Sequence, residues 1–340
     1  MYALFQDNIR SVSCSVEFQE FDRFCSCEDF LYRKGNMLCK HILAMLERVD
    51  INEVKRKMGE INMVLRISTG CKSIDEMIDP KHPGLSASME HYVYADANVG
   101  KSLWFVLGAA VRAYIETGLP ALIIDTEANF IDKHRREDAI NYHKERWKSE
   151  LKGEQPKIDF VYKSSIYQLF EYFGKHLYLK PRINDKTGEV VMYDALYSPA
   201  VKEVKTRTRG DKTFEDITYW SETDFPILND AKDHSIVIID SISEPMKEAL
   251  PTPPNQNFPC RAAIINHLLG LLRHVITRYS IPTIVTGHAS DSPENPSLKG
   301  LMYGGRPIKY NAKIILKIKG GEQDFSKGYV PIEIVRMRSF

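Results

Sequence analysis

A glycine-containing loop between a predicted strand and a predicted helix decides the fold of this chain, and it reads YADANVGKSL, residues 94–103. The preceding residues 91–95, HYVYA, are typical of a strand, and residues 102–118 have the apolar spacing of an amphipathic helix. In such a loop the backbone N–H groups point at phosphate oxygens, and the helix offers its positive N-terminus. The stretch therefore predicts a phosphate-binding loop; the alternative is an ordinary glycine turn that caps a helix.

The residues of this loop have separate expected roles in holding a nucleotide. Lys101 is expected to bridge the terminal phosphates and the hydroxyl of Ser102 to bind Mg²⁺, so ATP and Mg²⁺ are the predicted ligands. Ala95 stands where such loops usually begin with glycine, so the loop has to accept a methyl group there. The predicted nucleotide-binding residues are Ala95, Asp96, Ala97, Asn98, Val99, Gly100, Lys101 and Ser102.

Three further buried strands are predicted at residues 120–127, 235–243 and 281–288, with a helix at residues 261–279 between the last two. Strands that alternate with helices predict a mostly parallel central sheet covered by helices. Each of these apolar runs ends in polar residues. Ligands of open α/β sheets bind at the edge where the carboxyl ends of the strands meet, so we expect the site there.

Two carboxylates at these strand ends are candidates for the chemistry. Asp240 closes an apolar run, as a Mg²⁺ ligand at a buried strand end does, although buried strands also end in aspartate without any catalytic reason. Glu127 follows another strand and is suited to polarise an attacking water. Residues 175–226 do not fit the alternation, and we interpret them as an insertion that contains a β-hairpin turning at residues 186–188.

Several ordered motifs in residues 66–340 resemble those of the RecA/RadA strand-exchange recombinases. Residues 68–78, STGCKSIDEMI, resemble their Ser-Thr-Gly motif, and residues 122–130, LIIDTEANF, resemble their Asp-Thr-Glu-Gly-x-Phe segment. Residues 303–318, YGGRPIKYNAKIILKI, are similar to the strand that follows their second DNA-binding loop. The resemblance implies an α/β, RecA-like P-loop ATPase core at residues 61–340, in which Glu127 activates the water.

The same resemblance implies further site residues. His288 stands where recombinases usually carry a glutamine that senses the γ-phosphate, although a histidine can also be a plain core residue. Arg336 and Arg338 resemble a basic pair that reaches the neighbouring subunit's γ-phosphate, so a ring or filament of identical subunits is implied; two solvated charges are the alternative. Residues 251–259 and 289–303 correspond in position to the two DNA loops.

Basic residues near the second of these loop positions are the candidates for binding single-stranded DNA. Lys299, Arg306 and Lys309 lie among glycines that let a phosphate chain approach, and Tyr303 and Tyr310 are available to stack. Three later lysines share one face of a predicted strand and are expected to form a solvated surface instead.

A cysteine and histidine cluster marks a small N-terminal head at residues 1–60. The spacing Cys-x-Cys, eleven residues, Cys-x-His supplies four ligands suited to tetrahedral Zn²⁺ and resembles the SWIM zinc finger. Chance clustering of small buried residues is the alternative. The resemblance implies that the head binds DNA or docks a recombinase or other repair protein. The predicted zinc ligands are Cys25, Cys27, Cys39 and His41.

Composition sets wide limits on function. Lysine and arginine total 46 against 45 aspartates and glutamates, so a nucleic-acid site has to come from local clustering of positive charge. No apolar run approaches the roughly 20 residues of a membrane span, and the N-terminus lacks a signal-peptide pattern. We expect an intracellular protein, cytoplasmic or nucleoid-associated, with no membrane partner.

These observations favour a DNA-dependent ATPase of homologous recombination or repair. Two alternatives stay open. The first is a hexameric motor of the DnaB or KaiC type, which shares the Ser-Thr-Gly motif, the loop and the strand order. The second is an accessory protein related to recombinases that binds ATP without strand exchange.

Overall fold

The computed structural model describes residues 2–7, 12–18, 23–25, 66–87, 89–96, 99–209, 212–221, 223–250, 257–290, 301–319 and 332–337. Contacts divide the chain into two units, Met1–Leu65 and Arg66–Phe340. In the first unit, β1 (Tyr2–Asp7), β2 (Val12–Phe18) and β3 (Arg23–Cys25) form an antiparallel sheet in that order. The backbone of Cys25 ends β3, whereas Cys27, Cys39 and His41 lie outside the described residues.

The second unit alternates strands with helices along the chain, as the sequence predicts. Its strands are β4 (Arg66–Ile67), β5 (Leu85–Ser86), β6 (Glu90–Ala95), β7 (Ala121–Asp125), β8 (Ile158–Tyr162), β9 (Lys175–Ile183), β10 (Val190–Pro199), β11 (Val201–Arg209), β12 (Lys212–Tyr219), β13 (Ile236–Asp240), β14 (Thr283–Ser290), β15 (Leu301–Met302), β16 (Ile314–Ile318) and β17 (Ile332–Met337). Its helices are α1 (Lys72–Ile78), α2 (Leu107–Thr117), α3 (Lys133–Arg146), α4 (Lys148–Leu151), α5 (Ile166–Tyr172), α6 (Pro226–Ala231), α7 (Ser243–Ala249), α8 (Phe258–Tyr279) and α9 (Gly305–Asn311).

The core of this unit is a mostly parallel sheet with the strand order β17-β16-β6-β14-β13-β7-β8. Every neighbouring pair in this path is parallel except β16 and β17, and β15 pairs antiparallel with β14. All residues of β7 and β13 are buried because helices cover both faces of the sheet. Strands that are buried on both faces have nearly continuous apolar sequences. The predicted α/β class with a mostly parallel sheet is confirmed.

The strand order brings the predicted functional segments to one edge. Strand β14 lies between β6 and β13, and His288 is opposite Ala95, the last residue of β6. On the other side of β13, Asp240 is opposite Asp125. The register therefore places the loop, His288 and both strand-ending aspartates at the same level, as expected for carboxyl ends of parallel strands.

Residues 175–209 and 212–219 form two β-hairpins that, in the described structure, are not paired with the central sheet. The turn of the first hairpin is where the sequence predicted it: Gly188 has a positive φ of 71° and its N–H donates to the carbonyl of Asn184 at 2.8 Å. This hairpin packs on α8 through Tyr197, whose ring centroid is 3.9 Å from that of His267. At the base of the second hairpin, the N–H of Trp220 donates to the carbonyl of Ala200 at 2.9 Å.

The segment after the second DNA-loop position differs from the expectation. Residues 303–318 were expected to be a strand, but residues 305–311 form α9 and the strand begins only at Ile314. Gly304 precedes the helix with a φ of 93°, a conformation that favours glycine, and Pro307 lies in the first turn, where its missing N–H costs no hydrogen bond. In the described parts of both units, no helix has the length and apolar character needed to cross a membrane.

Candidate functional site

The loop after β6 places the ammonium group of Lys101 between two carboxylates. Gly100 turns the chain with a φ of 77° into a π-helical turn, Lys101–Val106, that continues into α2. The Nζ atom of Lys101 is 3.3 Å from Oδ1 of Asp240 and 3.6 Å from Oε1 of Glu127. The lysine is buried, yet its Nζ makes no hydrogen bond within the described residues. Two residues of the predicted loop, Ala97 and Asn98, lie outside the described part.

Asp240 is fully buried at the end of β13. The hydroxyl of Thr286, on the neighbouring strand β14, donates to its Oδ1. Its other carboxylate oxygen, Oδ2, has no hydrogen-bond partner in the part of the chain that the structure describes. Leaving a buried carboxylate oxygen unpaired is costly, so Asp240 is arranged to receive a cation or a donor at Oδ2.

Glu127 is held by several partners at the same edge. The Nε2 atom of His288 is 2.8 Å from its Oε1, the hydroxyl of Ser241 donates to the same oxygen, and the amide of Asn129 donates to Oε2 at 3.1 Å. Burial raises the pKa of Glu127, but the hydrogen bonds from His288 and Ser241 and the charge of Lys101 outweigh burial and lower it to about 2. The carboxylate is therefore ionised at neutral pH.

Asp125 shapes the turn that carries Glu127. Its Oδ1 accepts the N–H groups of Glu127 at 3.1 Å and Asn129 at 3.2 Å, and its Oδ2 accepts that of Phe130 at 2.9 Å. Burial raises the pKa of Asp125, the three N–H groups oppose that shift, and the nearby Asp240 adds to it. Within the turn, Ala128 adopts a positive φ of 61°, at the position where the recombinase pattern has glycine.

Sequence reasoning missed several polar residues that connect this cluster. The side-chain amide of Asn129 donates to Oγ of Ser102 at 3.2 Å. This hydrogen bond connects the hydroxyl that is predicted to bind Mg²⁺ to the turn that carries Glu127. Ser243 accepts the backbone N–H of His288 at 3.0 Å, and its Oγ is 2.9 Å from Oγ of Ser241. In the sequence, these polar residues are distinguished only by lying just after the ends of strands. That position does not show which of their side chains contact each other.

The Ser-Thr-Gly motif has a structural role in this chain. The hydroxyl of Ser68 donates to Oδ2 of Asp75 at 2.5 Å, and the N–H and hydroxyl of Thr69 donate to Oδ1 of Asp75 at 2.8 and 2.7 Å. Asp75 lies in the first turn of α1 and is buried. The motif thus fixes the start of α1 instead of contributing to the cluster around Lys101.

A cavity of about 470 Å³ opens beside the start of the π-helical turn. Leu103 and Trp104, which directly follow Ser102 in the chain, form one wall, and residues of α3 form the other. The walls of this cavity combine apolar and aromatic side chains with the charged Arg135 and Asp138. The lining residues are Leu103, Trp104, Arg135, Asp138, Ala139 and Tyr142.

The DNA-binding candidates have different surroundings. Arg306 and Lys309 are exposed on α9, and Tyr310 beside them is 66% exposed. The expectation that Tyr303 stacks on bases is wrong, because its side chain is buried and the guanidinium of Arg261 lies 4.6 Å from its ring centroid. Lys299 lies outside the described residues, as do residues 251–256 and 291–300 of the two loop positions.

Arg336 is not part of the cluster around Lys101 in its own chain. It pairs with Ile315, which pairs with Tyr92 near the middle of β6, away from the carboxyl ends of the strands. Its Nη1 donates to the carbonyl of Lys309 on α9. Arg338 lies outside the described residues, so the role of this pair at a neighbouring subunit stays a prediction.

Comparison with known proteins bears on the N-terminal unit. A search of curated proteins gave no match to the chain. The family model of the SWIM zinc finger matches residues 11–50. The matched range contains all four predicted ligands, Cys25, Cys27, Cys39 and His41, and such a finger implies bound Zn²⁺. Residues 11–50 are therefore similar to a SWIM zinc finger.

Proposed function

We propose that this chain is an ATPase of the RecA/RadA class that binds single-stranded DNA and acts in homologous recombination or repair. One observation carries the proposal: Nζ of Lys101 and Oδ2 of Asp240 are both buried at the edge where the carboxyl ends of the parallel strands meet, and both lack hydrogen bonds among the described residues. Lys101 is ion-paired with Asp240 and Glu127, but its hydrogen-bonding capacity and that of Oδ2 of Asp240 are unused among the described residues, which fits a phosphate and a cation, respectively.

The residues present fit Mg²⁺ and ATP. Mg²⁺ is usually held by one or two carboxylates together with substrate phosphates and waters, and Asp240 with the hydroxyl of Ser102 supplies such a set. When bound, Mg²⁺ neutralises charge on the β- and γ-phosphate oxygens. No group of three or more His, Cys, Asp or Glu side chains that could hold a metal ion is present in the described residues.

The same contacts support a separate role for each of these residues in the proposed reaction. Lys101 binds the terminal phosphates, and Glu127 orients the attacking water. Because the charge of Lys101 helps to lower the pKa of Glu127, engagement of Lys101 with phosphate makes Glu127 a stronger base when substrate is in place. His288 donates to Glu127 and fixes its direction. Arg336 and Arg338 are proposed to act on the nucleotide of an adjacent subunit in a ring or filament.

The DNA and protein partners are proposed from two surfaces. The exposed cations Arg306 and Lys309 on α9, with Tyr310 exposed next to them, support contact with the phosphates and bases of single-stranded DNA. The zinc finger match supports a head stapled by Zn²⁺ through Cys25, Cys27, Cys39 and His41. We propose that this head docks DNA or another repair protein.

A second candidate function is that of an accessory protein that binds ATP and does not turn it over. Burial raises the pKa of Glu127, but His288 and Lys101 outweigh burial and lower the pKa to about 2. A carboxylate with so low a pKa is a weak base, and this favours the second candidate.

ATP hydrolysis measured with and without single-stranded DNA tests the proposal, with strand exchange and unwinding scored on the same preparation. We expect turnover that single-stranded DNA increases, together with strand exchange. Directional unwinding without exchange would instead identify a helicase-like motor. ATP binding with negligible turnover under both conditions would identify the accessory protein.

A further inference from the structure

His288 lies between two glutamates, of which the proposed chemistry uses only one. Its Nε2 atom is 2.8 Å from Oε1 of Glu127 and 3.7 Å from Oε1 of Glu244. A ring nitrogen carries a single N–H, so the two carboxylates compete for the same donor. In this arrangement the shorter contact, to Glu127, is the hydrogen bond.

The position of Glu244 relative to the ring is fixed by the backbone. The N–H of His288 donates to Oγ of Ser243 at 3.0 Å, and Ser243 is the buried residue immediately before Glu244 at the start of α7. Oγ of Ser243 is also 2.9 Å from Oγ of Ser241, whose hydroxyl donates to Glu127. These two hydroxyls link the backbone of His288 to Glu127, and Glu244 directly follows Ser243 in the chain.

The side chain of Glu244 is itself held in place. Nζ of Lys247, one turn further along α7, is 2.5 Å from its Oε1. An ionised carboxylate accepts several hydrogen bonds at once, so this contact leaves room for His288. The charged groups around the ring are therefore Glu127 and Lys101 on the side of the proposed reaction, and Glu244 and Lys247 on the side of α7.

We infer that Glu244 is a positioning residue: it accepts the Nε2–H of His288 when Glu127 turns to the attacking water. The inference rests on the proposed ATPase function. A carboxylate that keeps a donated hydrogen bond from His288 is a poorer base, so release of that bond assists Glu127. Release without a second acceptor would leave the ring N–H unpaired in a half-buried site, which is unfavourable. Glu244 supplies that acceptor and keeps the ring in position.

The kinetic test compares three changes on α7. Glu244→Ala removes the acceptor and is expected to lower kcat for ATP about five- to tenfold, the effect of losing one hydrogen bond. KM should not change, because this hydrogen bond forms only after the substrate has bound. Glu244→Gln keeps an uncharged acceptor and should fall between Glu244→Ala and the parent. Glu248→Ala, an exposed glutamate on the same helix, is the matched control and should hydrolyse ATP at the parent rate.

A double-mutant cycle shows whether Glu244 acts through the histidine. In a His288→Asn background, Glu244→Ala should cause no further loss of kcat. A kcat for Glu244→Ala within twofold of the parent, or a full additional loss in the His288→Asn background, would overturn the inference.

A spectroscopic measurement separates this inference from the ATPase proposal. In the full-length chain labelled with ¹⁵N-histidine and free of nucleotide, the imidazole signals of His288 are identified by their loss in His288→Asn. Glu244→Ala should move these signals and Glu248→Ala should not. If the parent never hydrolyses ATP but the signals respond in this way, the proposed function fails while the contact stands. Unchanged signals in Glu244→Ala would contradict the inference whether or not ATP is hydrolysed.

Discussion

At the scale of single residues, the site is defined by three charges that lie close together, those of Lys101, Asp240 and Glu127. Lys101 is buried against Asp240 and Glu127 at 3.3 and 3.6 Å, distances that favour electrostatic attraction without a hydrogen bond. Removing any one of these three charges changes the electrostatic energy of the other two. The separate roles of the lysine and of Glu127 can therefore be distinguished by substitution.

Lys101→Ala and Glu127→Gln should have different effects. Lys101→Ala removes the phosphate counter-charge and should abolish nucleotide binding, measured by calorimetry. Glu127→Gln should keep ATP bound and lower turnover by about 10²–10⁴-fold, the usual contribution of a general base. Glu137→Gln, an exposed glutamate on α3, is the control and should match the parent. Parent-rate hydrolysis by Glu127→Gln would exclude Glu127 as the base.

Ala128 has a backbone conformation that suits glycine. Its φ of 61° costs an alanine about 1 kcal/mol relative to the right-handed region. We expect Ala128→Gly to raise the free energy of unfolding by about 0.5–1 kcal/mol, measured by denaturant titration. Ala263→Gly, at an exposed position of α8, is the control and should lower it by about 1 kcal/mol. A lower stability in Ala128→Gly would show that this turn is not strained.

At the scale of elements, apolar runs that end in polar residues predicted the strands of the site and their common edge. Asp240 was identified in this way, whereas the loop was identified by its glycine, lysine and serine and His288 by the resemblance to recombinases. The hydrogen bonds of Asn129, Ser241 and Thr286 could not be predicted, since they depend on the order of strands in the sheet. Helix α9 was missed because its glycines and proline carry no helical periodicity.

Helix α9 should contribute to DNA binding through charge. Replacing both Arg306 and Lys309 by alanine removes two phosphate contacts, so the logarithm of single-stranded DNA affinity should depend less steeply on the logarithm of salt, by about 0.7 per contact. Lys319→Ala is the control, because Lys319 is paired with Glu333 at 2.6 Å, and its slope should equal that of the parent. An unchanged slope in the double variant would place the DNA site elsewhere.

At the scale of the whole molecule, the chain combines a zinc-finger-like head with an α/β core that carries the candidate site. The head, residues 1–65 by contacts, is small, and domains of this size commonly depend on a metal for stability. The core has its own apolar interior on both faces of its sheet. We therefore expect metal loss to affect the head before the core.

Zinc analysis of the full chain tests the head. We expect about one equivalent of Zn²⁺ in protein never exposed to chelator, and loss of most of it in Cys39→Ser, because a tetrahedral structural site needs all four ligands. Cys71→Ser is the control, since Cys71 precedes α1 in the core, and it should retain the metal. Full retention of zinc in Cys39→Ser would disprove the ligand assignment.

The hydrogen bond between Trp220 and Ala200 joins the two ends of the second hairpin. Strands β11 and β12 pair only with each other in the described structure, and Val204, Ile217 and Tyr219 on them are about half exposed. The described residues of this hairpin are thus joined to the core mainly at the two ends of the hairpin. A segment attached in this way accommodates changes in length and composition without disturbing the sheet. We therefore expect a fluorophore or an affinity tag attached to β11 or β12 to leave the site around Lys101 intact.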